Sequence, residues 1–183
     1  MNQIKNNQGG FTLLELLLVI GLATLLLIAS IYTYRMITEG TKATASTRLL
    51  MSLHQQAINT ATQQESTYTG LAYDDTAAAG AAAGGLSPFV VSGLLHVNER
   101  NPFDGPIVIT PTGGGTTLTM SFGKLSKPAC MRLIQAITSS SELISVGTAA
   151  ATYTGTANQI PVSAANAAAA CNQSSNTVTW VFP

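Results

Sequence analysis

Within residues 8–30, QGGFTLLELLLVIGLATLLLIAS, Glu15 is the sole charged residue. A charge at the centre of a bilayer costs about 2.5–3.5 kcal/mol, and less near the headgroups. Such a group usually has a partner, and the preceding residues offer one. Gly9 and Gly10 form a small-residue pair just before the apolar run. Hydrolysis after Gly10 would leave Phe11 with a free, positively charged amine. Glu15 lies four residues further on, on the same helical face. The chemistry implied is ion pairing, either with the Phe11 amine of the same chain or with that of a neighbouring copy. The second would set the stagger between identical helices. In the alternative, Glu15 sits near the headgroups and needs no partner.

Other residues capable of chemistry are scattered. His54 falls in a helical pattern and His96 near Glu99, and both read as surface or packing histidines. Asp74 and Asp75 are adjacent carboxylates that could help bind calcium, but read more simply as solvated. Gly113, Gly114 and Gly115 lack the lysine that a phosphate loop requires. No Gly-x-Ser-x-Gly or His-Glu-x-x-His occurs. Asn172-Gln173-Ser174 matches a glycosylation sequon, and Trp180 alternates with Val178 and Phe182 as a core residue would. No catalytic, cofactor-binding or metal-binding residue is assigned, and the chain is not expected to be an enzyme.

The bulk composition narrows the class. The chain has 183 residues, enough for one compact domain and an appendage. Charged residues make up 9% and the net charge is zero, so no basic face supports nucleic-acid binding. The two cysteines, Cys130 and Cys171, cannot form a Cys-x-x-Cys or a four-ligand zinc site. In an exported protein they would pair with each other; otherwise they are two separate buried thiols.

The elements that must position Glu15 follow. Residues 16–34 carry no charge, and as a helix would span roughly 28 Å, close to the bilayer's hydrocarbon thickness. An ordinary signal peptide fits poorly, because the only downstream cleavage candidate, residues 27–30, is weak. The helical pattern continues through Ile37, Leu49, Leu50, Leu53, Ala57, Ile58 and Ala61, and no proline precedes Pro88. One helix is predicted over residues 11–63, roughly 80 Å long. Its first half is apolar all round, and its second half has one apolar face. Gly21 and Gly40 inside it would mark a bend or close packing.

Beyond the helix, residues 65–85 read as a loop rich in Ala, Thr and Gly. Residues 86–97 read as a short helix with Ser87 as cap, and residues 100–105 as a turn. Strands are predicted at 106–110 and 116–122, joined by a hairpin, and at 142–149 and 176–182. A helix is predicted at 127–137, capped by Ser126. The predicted class is α+β, a long N-terminal helix packed on an antiparallel sheet.

The stretch GGFTLLELLLVIGL resembles the leader junction and helix start of type IV pilins and pseudopilins, with a class III leader. Gly10 matches the residue before the cut, Phe11 the first mature residue, which prepilin peptidase N-methylates, and Glu15 the family's helix glutamate. Asn101-Pro102-Phe103, the Leu125, Cys130, Leu133 pattern and the late Cys171 are similar to the type IVb subclass of toxin-coregulated and bundle-forming pilins. The short leader and Phe11 differ from that subclass. The resemblance implies a pilin-like fold with one disulfide, and four segments: a cleaved leader (1–10), a transmembrane and filament-core half-helix (11–35), an amphipathic half-helix (36–63) and a globular head (64–183). It implies a pilus subunit that polymerises with identical copies and leaves the inner membrane for the cell surface. Its partners would be the peptidase and N-methyltransferase and the assembly platform with its ATPase, with no cofactor. The region between the cysteines would form a polar surface where subunits meet. The alternatives are a pseudopilin of a type II secretion system and a membrane-anchored periplasmic enzyme or binding protein with an uncleaved helix.

Overall fold

The computed structural model describes residues 12–64, 67–75, 81–82, 85–136, 143–155 and 159–183. The chain divides into two compact units, Met1–Thr38 and Glu39–Pro183. Helix α1, Leu13–Gln63, runs through both with 51 residues. Its length follows from the absence of proline and a supply of Leu, Ala and other residues that lose little rotamer freedom in a helix.

In the first unit every described residue up to Tyr34 is exposed, the leucines included. In the second unit α1 buries one stripe, Ala43, Ser46, Leu50, Leu53, Ala57 and Ala61, at three- and four-residue steps. This is the apolar face expected from the sequence, with one correction. Ile37 is exposed and takes no part in the stripe, since it falls before the start of the second unit.

The second unit holds a six-stranded sheet built from β1 (Tyr73–Asp74), β4 (Ile107–Thr112), β5 (Thr117–Leu125), β6 (Ser145–Gly147), β7 (Thr152–Thr154) and β8 (Asn176–Phe182). The order is β1-β4-β5-β8-β6-β7, and every pairing is antiparallel. A two-stranded ribbon of β2 (Ala81–Ala82) and β3 (Gly85–Leu86) stands apart from that sheet. Alternation sets the inner face. Leu118, Met120 and Phe122 on β5 and Val178, Trp180 and Phe182 on β8 are buried, while Thr177, Thr179 and Val181 face away. Phe122 and Trp180 meet edge to face at 5.4 Å, a favoured aromatic geometry. Leu50 and Leu53 of α1 join the same core, as do Leu133 and Ile134 of helix α3 (Lys127–Ala136) and Ala167 and Ala170 of helix α4 (Ala164–Ala170).

The β4–β5 hairpin turns through a single 3₁₀ turn, Gly113–Gly115, in which all three glycines have positive φ. Only glycine adopts three such conformations in succession without steric cost. The Gly115 carbonyl then accepts a 2.8 Å bond from the Tyr68 N–H, tying the hairpin to the segment after α1.

Cys130, in α3, and Cys171, just after α4, form a disulfide across 41 residues. Both are fully buried between the two packed helices. The pairing expected of the cysteines is therefore present, and with it the α+β fold, a long helix on an antiparallel sheet.

Several local expectations need correction. The stretch read as a loop over residues 65–85 contains β1, β2 and the first residue of β3. Two-residue strands carry too little pattern to be legible, and β1 exists because Tyr73 and Asp74 find Ile109 and Val108 on β4. The helix expected over 86–97 shrinks to α2, Pro88–Val91. Gly93, at φ 71°, terminates it, and the N–H groups of Leu94 and Leu95 both return to the Phe89 carbonyl. The Ser87 hydroxyl does not cap that helix. The strand expected over 142–149 is confined to β6, with residue 142 outside the described set. Strand β7 and helix α4 carried no expectation at all. The helix at 127–137 matches α3, and the Ser126 hydroxyl accepts from the Ala129 N–H at 3.4 Å; Ile137 lies outside the described residues.

Candidate assembly site

Gly10 and Phe11 lie outside the described residues. The described chain opens on Thr12, whose hydroxyl accepts from the Glu15 N–H at 3.3 Å while its carbonyl accepts from the Leu16 N–H at 3.1 Å. Thr12 is thus the N-cap of α1, and Glu15 sits in the first turn. Thr-x-x-Glu is the capping-box spacing, a signal present in the sequence beside the lone charge. Unpaired N–H groups at a helix start favour a nearby carboxylate, so the cap gives Glu15 a local electrostatic reason to be there.

The described neighbours of Glu15 along α1 are exposed and apolar. Leu13, Leu14, Leu17 and Leu18 are 77%, 74%, 61% and 63% exposed. Soluble monomers rarely expose contiguous apolar patches beyond a few hundred Å². The few polar side chains here turn inward on their own backbone. Thr24 donates to the Gly21 carbonyl at 2.8 Å, Ser30 to Leu26 at 2.7 Å and Thr33 to Ala29 at 2.9 Å. Each hydroxyl hydrogen is satisfied without water, as an apolar surrounding requires. Among the described residues this is the one helix long and apolar enough to cross a membrane, with an 18-residue window of mean hydropathy 2.6. A Cβ added at Gly21 would meet nothing within 4 Å, so packing within this chain does not call for the glycine. A Cβ at Gly40 would lie 3.0 Å from the Arg132 guanidinium, the far end of a long side chain of α3.

The head presents its own fixed points. Asn101 is buried, and its amide organises the Asn-Pro-Phe turn. Its Oδ1 accepts from the N–H groups of Phe103 at 2.8 Å and Gly105 at 3.1 Å, and its Nδ2 donates to the Gly123 carbonyl at 2.8 Å. Lys42 of α1 stands over the Phe103 ring, 6.0 Å from its centre. The turn therefore joins the β4–β5 hairpin to the amphipathic part of the helix.

The remaining candidates separate widely. His54 is half-buried and stacks on Phe182 at 4.0 Å, a packing role. His96 is exposed and faces Glu99 at 2.9 Å. Asp75 is buried and Asp74 half-buried, and among the described residues no cluster of three His, Cys, Asp or Glu side chains could hold a metal. Trp180 is a core residue, and Asn172 is exposed. Between the cysteines, β6 and β7 extend the sheet. With β8 they form an open depression of 430 Å³ lined by Ser145, Thr148, Thr152, Thr177, Thr179 and Val181. None of these six is charged.

The profile of the family described as PilS N terminal matches residues 55–182, more than half of the chain. The chain belongs to this family. The prokaryotic N-terminal methylation motif matches residues 5–31, which include Gly10, Phe11 and Glu15. No curated protein matches the chain significantly. Among solved structures, TcpA, a type IV pilin from the Vibrio cholerae El Tor biotype, is similar with a TM-score of 0.53 at 15% identity. The match covers 78% of this chain and 99% of TcpA. A type IVb pilin from Salmonella typhi is similar with a TM-score of 0.49 at 18% identity, over 77% of this chain and 97% of that one. The PilS family chain thus has a type IV pilin fold and carries the methylation motif at the start of its apolar helix, as the resemblance in its first residues implies.

Proposed function

We propose that this chain is the structural subunit of a type IV pilus, held in the inner membrane by the first half of α1 and then assembled into a helical surface filament. The supporting observation is the exposed apolar half-helix headed by a capped Glu15. Its surface needs either lipid or sister helices. Lipid and helix are equally apolar, so the transfer gains little from the hydrophobic effect and depends on close packing and on work by the assembly ATPase and platform. Gly21, with open space beside it, suits such packing.

Prepilin peptidase would remove residues 1–10 and methylate the Phe11 amine. Residues 11–35 would form the filament core, 36–63 the bridge to the head, and 64–183 the exposed head. The Phe11 amine of one subunit would pair with Glu15 of another and fix their stagger. No step in this role needs an enzymatic site or a cofactor.

Mass spectrometry of the envelope-bound protein, followed by electron microscopy of sheared surface material, tests the reading. A chain starting at methylated Phe11, found in long filaments, is the expected result. An intact Met1, or a chain severed after Ser30, would overturn it. A methylated chain that stays in the envelope would point instead to a secretion pseudopilin.

A further inference from the structure

Asp75 directly follows the edge strand β1 and is 5% exposed. Among the described residues neither carboxylate oxygen has a hydrogen-bond partner in another residue; the one donor acting on the carboxylate is its own backbone N–H. The Asp75 N–H extends the edge ladder by donating to the Ile107 carbonyl at 3.3 Å. The Tyr73 hydroxyl is occupied elsewhere, with the carbonyls of His96 and Glu99 and the Glu99 N–H. The charged groups acting on the carboxylate are Arg100, which favours ionisation, and Asp74, which opposes it; Glu99 bears on the neighbouring Tyr73. Arg100 is half-exposed and also reaches toward Asp104, so its compensation is incomplete.

We propose that Asp75 is an acid-responsive element that loosens the β1 edge of the head when ionised and tightens it when protonated. A buried carboxylate with no donor from another residue keeps much of its desolvation penalty. Protonation removes the charge and with it most of that penalty. Burial first, and Asp74 next, hold the Asp75 carboxyl above its ordinary 3.8, against the pull of Arg100. Its contribution to stability is therefore complete below that ordinary value and is lost as the pH rises through the raised one. A neutral environment leaves the edge loosened, and an acidic one closes it.

The test compares the full-length chain in detergent micelles with its Asp75→Asn variant at pH 7 and pH 4, by thermal unfolding and by hydrogen exchange at residue 75. Asparagine imitates the protonated acid at both values. The expected result is a Tm about 2–4 °C above wild type at pH 7, slower exchange of that amide, and a gap that closes at pH 4. An equal or lower Tm at pH 7 would overturn the proposal, because the ionised carboxylate would then be making a stabilising contact. Arg100→Gln provides the second arm and does not depend on how Asp75→Asn folds. It should lower the Tm at pH 7 more than at pH 4; equal losses at both would also overturn it.

Discussion

Asn101 Nδ2 donates a 2.8 Å hydrogen bond to the carbonyl oxygen of Gly123, 22 residues along the chain. The same side chain accepts from the Phe103 and Gly105 N–H groups. One buried amide thus fixes both the turn and the bulge where β5 changes register between Phe122 and Leu125. A Cβ at Gly105 would overlap the Gly123 carbonyl, so the turn needs glycine for space.

Asn101→Ala should therefore cost about 2–3 kcal/mol, the penalty of leaving buried backbone groups unpaired. Gly105→Ala should cost at least as much. Denaturant unfolding of both variants checks this, and a loss under 0.5 kcal/mol, on the order of a surface substitution, would contradict it.

Removing the disulfide by Cys130→Ser with Cys171→Ser should destabilise the head by about 4 kcal/mol, from the loop-closure entropy of a 41-residue separation. Equilibrium unfolding of oxidised and reduced protein gives the same comparison without mutation.

The Tyr73 hydroxyl shares its one hydrogen between the His96 and Glu99 carbonyls and accepts from the Glu99 N–H. Tyr73→Phe should cost about 1–3 kcal/mol at pH 7. Burial also raises the Tyr73 and Tyr68 hydroxyls above their ordinary 10.0. Their shared contribution is present below that value and is lost as the pH climbs through the raised ones. Wild type should lose stability above pH 10, and Tyr73→Phe should lose less over the same range, as thermal scans in alkaline buffers would reveal.

Glu15→Gln should leave the Tm of the head unchanged while lowering the yield of sheared filaments, because it removes the charge and keeps the shape. Thr12→Ala removes the N-cap at a cost of about 0.5–2 kcal/mol to the helix start. Filament yield should fall in that variant as well if the cap presents Glu15. Normal yields from both would refute a registry role for this end of the helix.

Legibility in the sequence followed the range of the forces involved. The apolar run, the stripe at Leu50, Leu53 and Ala57, and the alternation at Val178, Trp180 and Phe182 are local repeats, and each became the expected element. Strand β1 is two residues long and depends on a partner far along the chain, and β7, although its partner β6 is close in sequence, is only three residues long, so no local period announces either. Helix α4 was hidden by its composition. AANAAAA looks like low complexity until the Ser163 hydroxyl is seen accepting from the Asn166 N–H. At the candidate site, the exposed apolar helix and Glu15 were legible, while the Thr12 cap was visible only as spacing. Asn101 was legible as a turn residue but not as a buried bridge to Gly123, since that contact depends on how the hairpin folds back.

Strand β8 lies between β5 and β6, although it follows both in the chain. The β4–β5 and β6–β7 hairpins share no direct pairing and are two leaflets joined into one sheet through β8, which bonds to β5 on one side and β6 on the other. In the finished head β8 is the keystone of an arch, the one strand that holds both leaflets. Loss of β8 would leave both leaflets without the strand that ties them into one sheet.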